Sequence, residues 1–231
     1  MKNETQISAE AIKFIKSNKK ELCEKFAGNK ICLSVTNPIS IFMAGSPGAG
    51  KTEFSKHLIT DIEINAVRID ADEIRSFIPE YNGKNSDEVQ GASALGVQKL
   101  FDYVIEHKKS FILDGTFANF DVSCKNIERS LNKGRPTQIF YIYQEPKVAW
   151  EFTKAREAME GRRVPVETFV DAFFKAKENV ELIKERFGAN IKIFLVEKNF
   201  SNRIERIHID IDKIDKYIQI NYNKETLLSI L

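Results

Sequence analysis

The residues that announce chemistry form one run, Gly45-Ser46-Pro47-Gly48-Ala49-Gly50-Lys51-Thr52. It fits G-x-x-x-x-G-K-[ST] and stands after an apolar stretch and before an amphipathic one, the strand-loop-helix setting that the motif requires. The glycines let the backbone curl with its N–H groups pointing inward, and the helix that follows adds its positive N-terminal end. Lys51 is placed to reach the outer phosphates of a nucleoside triphosphate, and the Thr52 hydroxyl to take a position on Mg²⁺. ATP and Mg²⁺ are therefore the expected cofactors, against the alternative of a coincidental glycine turn.

Acids and arginines follow at mechanistically apt places. Val67-Arg68-Ile69-Asp70-Ala71-Asp72-Glu73-Ile74-Arg75 puts Asp70 and Asp72 at the carboxyl end of a second strand, where an open α/β sheet binds its ligands. Asp72 is read as the base that takes a proton from an attacking hydroxyl, and Asp70 as a helix cap or a contact to a metal-bound water. A third apolar run closes in Asp114-Gly115-Thr116. Asp114 could hold Mg²⁺ through a water, start a turn, or face the acceptor together with Thr116. Arg156, Arg162 and Arg163 lie around a polar interruption between two helical patterns, closed by Pro165. Arg156 and one of the Arg162/Arg163 pair suit a lid that stabilises the charge spread over a moving phosphoryl group; a solvated helix face is the alternative.

The elements that must position these groups alternate in type. Strands are expected at 39–45, 66–70, 110–115, 137–143 and 191–197, several of them apolar at nearly every residue, as in a parallel sheet covered on both faces. Helices are expected at 51–60, 86–106, 121–133, 146–160 and 165–187. The fold class is α/β, a P-loop fold with a parallel sheet of about five strands and helices on both faces. Ser8 is read as the cap of an N-terminal helix carrying Ile12, Ile15, Leu22 and Phe26 and ending at Gly28, either packed on the sheet or acting as a regulatory arm. Helices are also expected near 212–218 and 224–231. The organisation is thus a helical extension (1–37), a core (38–198) and a helical appendage (199–231).

Composition narrows the function classes. With 231 residues, 42% hydrophobic and 29% charged, the chain is an ordinary globular protein, and 35 basic against 33 acidic residues give a net charge of only +2. No broad polyanion-binding surface follows from that balance, so nucleic acid is not an expected partner. No run approaches the ~18 apolar residues of a membrane span, and no leader pattern opens the chain, so a cytoplasmic protein is expected. Cys23, Cys32 and Cys124 are read as reduced thiols. His57, His107 and His208 stand apart without metal-ligand spacing, and the absence of Asn-Lys-x-Asp disfavours a GTPase.

Taken together, the motifs resemble the zeta-toxin family, P-loop kinases of toxin–antitoxin systems. The resemblance is carried by Gly45 to Thr52, by Ile69-Asp70-Ala71-Asp72-Glu73-Ile74-Arg75 with Pro79-Glu80-Tyr81, by Leu113-Asp114-Gly115-Thr116, and by Arg156 and Arg162 with Pro165. It implies an ATP-dependent phosphotransferase acting on a sugar nucleotide, with UDP-N-acetylglucosamine the family's best understood acceptor. It further implies Lys51 as the phosphate lysine, Asp72 as the base, and Arg156 and Arg162 as transition-state arginines. Arg75, Asp114 and Thr116 join Asp72 on the acceptor side. Where family members carry Glu-Gly-Thr and then an arginine, this chain has Asp114-Gly115-Thr116-Phe117-Ala118. A toxic kinase also implies restraint, by an antitoxin protein or by the N-terminal helix in cis. The other readings are a kinase for a different small-molecule or nucleic-acid hydroxyl, and an ATP-gated binding module without transfer.

Overall fold

The computed structural model describes residues 3–161, 163–201 and 203–231. Among the described residues six strands form one sheet: β1 (Ser40–Ala44), β2 (Val67–Asp70), β3 (Phe111–Asp114), β4 (Thr137–Tyr143), β5 (Ile191–Lys198) and β6 (Ile204–Ile209). Their order is β2-β3-β1-β4-β5-β6, with the first five parallel and β6 antiparallel to β5. The helices are α1 (Glu4–Ser17), α2 (Lys19–Ala27), α3 (Lys51–Thr60), α4 (Ala71–Arg75), α5 (Gln90–Glu106), α6 (Phe120–Leu131), α7 (Pro146–Glu160), α8 (Val166–Phe187) and α9 (Lys224–Ile230).

The expected α/β architecture stands, and the reason lies in the strands. Every residue of β1 is buried, but its side chains alternate between two cores. Phe42 and Ala44 join the larger cluster with Ile15, Leu22, Leu100 and Ile183, whereas Ile41 and Met43 join a second with Phe54 and Leu58 of α3. A strand covered on both faces needs apolar residues on both, and this is what its sequence shows.

Both ends of the chain differ from the sequence reading. The N-terminal helix is two helices; Asn3, not Ser8, caps the first, in a reciprocal capping box with Gln6. The break falls at Asn18, whose side-chain amide donates to the Phe14 carbonyl at 2.9 Å. Ala11, Ile15, Leu22, Cys23 and Ala27 are all buried in the larger cluster. At the other end a sixth strand pairs with β5, and the helix expected near 212–218 is only a 3₁₀ turn over Ile214–Lys216. Ile211, Ile214 and Ile218 have helical spacing because they anchor a return segment to the core. β6 is an exposed edge strand, so its sequence carries no alternation of buried and solvated faces. All three cysteines are buried and free.

The glycine loop is built against α7. Gly48 has φ of +71°, and a Cβ there would stand 2.0 Å from the Ala149 carbonyl oxygen and 2.6 Å from Thr153 Oγ1. Gly48→Ala is therefore expected to push loop and helix apart. At about 2–3 kcal/mol of strain, the melting temperature should fall by roughly 5–10 °C, with loss of nucleotide affinity. Thermal melts with and without ATP check this.

Candidate active site

The glycine loop leaves β1 and turns into α3, with Gly45, Gly48 and Gly50 all at positive φ. Lys51 opens the helix, and its Nζ donates to the Ser46 carbonyl at 2.6 Å, so the ammonium lies folded across the mouth of its own loop. Burial pushes Lys51 down to about 8, opposed chiefly by the Asp114 carboxylate. A triphosphate would favour the charged form, so binding above that value requires proton uptake. Nucleotide affinity is accordingly expected to hold steady below pH 8 and to fall above it, by up to tenfold per pH unit. Titration of a fluorescent ATP analogue from pH 7 to 10 reads this directly.

Thr52 follows on the first turn of α3, half-buried. One turn further on, Ser55 donates to Asp114 Oδ2 at 3.0 Å. The in-register pairing of β2 with β3 sets Asp70 beside Asp114 at the sheet's carboxyl edge. Two neighbouring buried acids demand a counter-charge, and Arg68 supplies it. Its Nη1 donates to Asp70 Oδ2 at 2.6 Å and to Asp114 Oδ2 at 2.7 Å, and its Nη2 to Glu73 Oε1 at 2.5 Å. Burial, then Asp114, still pushes Asp70 up to about 6, with Arg68 opposing. The sequence reading passed over Arg68; the signal was a lone cation inside an otherwise apolar strand, two residues before an acid.

Asp70 also caps α4, its Oδ1 accepting from the Asp72 N–H at 2.8 Å. The Asp72 side chain emerges from this short helix between two guanidinium groups. Arg75, on the same helix, donates to Oδ1, and Arg156 Nη2 from α7 donates to Oδ2 at 2.8 Å. Arg75 is only 3% exposed and also bonds Gln90 at the start of α5. Arg156 is 41% exposed and Asp72 26%, so this pair faces solvent. Because α7 both packs on Gly48 and carries Arg156, the acid of α4 and the glycine loop share one wall.

The loop after β3 closes the group. The Thr116 carbonyl accepts from the Gly45 N–H at 3.2 Å, and Phe117, at φ +64°, presents its carbonyl to Asn179 Nδ2 of α8 at 2.9 Å. Lys51, Thr52, Asp70, Asp72, Arg75, Asp114, Thr116 and Arg156 are thus gathered around the carboxyl ends of β1, β2 and β3. Arg163 lies exposed between α7 and α8. Arg162 lies outside the described residues.

A parallel sheet ordered 2-3-1-4-5, a phosphate-type glycine loop after β1 and acids ending β2 and β3 define a P-loop kinase-like α/β protein. The particular family follows from its sequence: residues 24–217 match the zeta toxin family, and the chain belongs to it. Toxin PezT of Streptococcus pneumoniae serotype 4 (strain ATCC BAA-334 / TIGR4) is 29% identical over 130 residues, 53% of this chain and 51% of that protein. The chain therefore spans about half the length of this curated relative. Among solved structures, one from the PezAT chromosomal toxin-antitoxin system of S. pneumoniae covers 97% of this chain and 95% of its own, at TM-score 0.68 and 20% identity. A putative kinase from Chloroflexus aurantiacus covers 73% and 90%, at TM-score 0.53 and 16% identity. No described helix is long and apolar enough to cross a membrane.

Proposed function

We propose that this protein is an ATP-dependent kinase that transfers the γ-phosphoryl group to a hydroxyl of a sugar nucleotide, of the UDP-N-acetylglucosamine type. The observation that carries the reading is the meeting of Asp72 with Arg156 on a wall shared with the Lys51 loop. A phosphoryl acceptor needs a base, the moving group needs a cation, and both must stand beside the triphosphate. In the proposed step the acceptor hydroxyl gives its proton to Asp72 as its oxygen bonds to the γ-phosphorus. The bond from that phosphorus to the bridging oxygen breaks, and ADP leaves. Lys51 and Arg156, with Arg162 assigned by the family resemblance, hold the charge on the transferring group. Thr116 is assigned to the acceptor side, Arg75 acts there through its grip on Asp72, and Asp114, almost wholly buried beside Ser55 and Arg68, is assigned to the metal ion.

Mg²⁺ fits the oxygen donors present. The Thr52 hydroxyl would hold it, with Asp114 beyond, and both are hard ligands of the kind this ion prefers. Among the described residues no group of three or more His, Cys, Asp or Glu could hold a metal, which suits an ion carried largely by the phosphates. When bound it supplies neutralisation of the β- and γ-phosphate oxygens.

Restraint by an antitoxin protein is part of the proposal, supported by the toxin–antitoxin system named for the PezAT structure. The described residues of the flanks assigned to 1–37 and 199–231 pack on the 38–198 core through Ala11, Ile15, Leu22, Ile211 and Ile214. The burial of Ala11, Ile15 and Leu22 supports packing as the role of α1 and α2, over a cis-inhibitory arm. Incubation of purified protein with ATP, Mg²⁺ and a panel of UDP-sugars, nucleosides and oligonucleotides tests the reaction. UDP-N-acetylglucosamine is expected to stimulate ADP formation most, and a nucleoside or oligonucleotide preference would redirect the acceptor.

A further inference from the structure

We infer that Arg68 is a positioning residue for phosphoryl transfer, one that fixes Asp72 without touching either substrate; this rests on the kinase reading. Its side chain is 8% exposed, beneath the carboxyl edge of the sheet, and its guanidinium pairs with the carboxylates of Asp70, Glu73 and Asp114. The two oxygens of Asp70 divide the work. Oδ2 accepts from Arg68, and Oδ1 accepts from the backbone N–H of Asp72. Locking one oxygen locks the plane of the carboxylate, and with it the bond that starts α4.

That helix has only five residues, Ala71–Arg75. A single turn does not hold itself in water, so its geometry must come from its surroundings. Arg68 grips it twice, through the Asp70 cap and through Glu73 inside the helix, while its bond to Asp114 ties the same guanidinium to β3 and, through Ser55, to the helix of the glycine loop. One planar fork thus joins three carboxylates on β2, β3 and α4. An ammonium carries the charge but not the fork and cannot serve all three directions at once.

The test compares wild type, Arg68→Lys and Arg68→Met for melting temperature, affinity for a non-hydrolysable ATP analogue, kcat and KM, and amide hydrogen exchange of α4. Arg68→Lys is expected to fold, to bind nucleotide within about threefold of wild type, and to lose tenfold or more in kcat with faster exchange in Ala71–Arg75. Arg68→Met should lose more, the lysine thereby giving partial rescue. A role in stability alone would lower the melting temperature and leave kcat intact. Wild-type kcat and unchanged α4 exchange in folded Arg68→Lys overturn the inference, and that variant carries the decision where Arg68→Met does not fold. Absence of turnover in wild type would instead count against the kinase reading, and faster α4 exchange would still register the positioning.

Discussion

Asp72→Asn is expected to lower phosphoryl transfer by roughly 10²–10⁴-fold, the range for removal of a general base, while nucleotide affinity stays within a few-fold of wild type. Asparagine keeps the shape and an acceptor oxygen but cannot take the hydroxyl proton. The proposed nucleotide contacts come from the 45–52 loop, whereas Asp72 stands on α4 and its carboxylate bonds Arg75 and Arg156. Its removal does have a structural cost, since Arg75, almost wholly buried, loses a charged partner. Transfer must therefore be compared at a temperature where both proteins are folded, with kcat and the affinity for an ATP analogue measured on the same preparation. A fall in kcat alone identifies the base; equal falls in both would make Asp72 part of the nucleotide site.

Lys51→Ala should behave differently, losing nucleotide binding and transfer together. Removing one member of a buried charge pair costs about 2–5 kcal/mol, equivalent to roughly 30- to 5,000-fold in affinity. In the empty protein two effects oppose each other: burial disfavours the Lys51 ammonium, while its deletion forfeits the bond to the Ser46 carbonyl and opens a cavity. The variant is expected to gain nothing when ATP is added, whereas wild type gains stability in proportion to the logarithm of ATP over its dissociation constant. Calorimetric titration and paired melts separate this outcome from simple unfolding.

What could be read from the sequence follows a physical pattern. β1, the glycine loop and α3 were legible because a covered parallel strand, left-handed glycines and an N-terminal phosphate site each constrain residue type locally. Asp70 could be read as a cap for the same reason, since an Asx side chain bonds a backbone two residues away. The encounter of Asp72 with Arg156 was implied by motif order but not by local spacing, because it depends on α7 packing against Gly48. Arg68 was not found at all. Its partners are one strand over and one helix on, and nothing in a linear reading says that an arginine in β2 will face Asp114 of β3. Asn179, which holds the carbonyl of Phe117 from α8, is hidden in the same way.

Errors at the ends have their own causes. Ser8 and Asn3 are both good caps, and the reciprocal capping box of Asn3 with Gln6 and the packing of Ile7 against the core place the start at Asn3. The edge strand β6 satisfies its hydrogen bonds on one side and leaves most of its side chains in solvent, Ile204, Ile207 and Ile209 among them, so no buried face marks it as a strand. Arg75 bonds Asp72 and Gln90, so its proposed part on the acceptor side is exercised through the Asp72 carboxylate.

If Lys51, Asp72 and Arg156 form one phosphoryl-transfer site, the γ-phosphoryl group must pass to an acceptor hydroxyl in their presence. The decisive measurement incubates the purified protein with Mg²⁺, ATP labelled in the γ-phosphate and UDP-N-acetylglucosamine, and follows where the label goes. Label is expected on a sugar hydroxyl, formed by wild type and not by Asp72→Asn. Transfer by Asp72→Asn at the wild-type rate, or no ATP consumption above background with any acceptor in the panel, would contradict it.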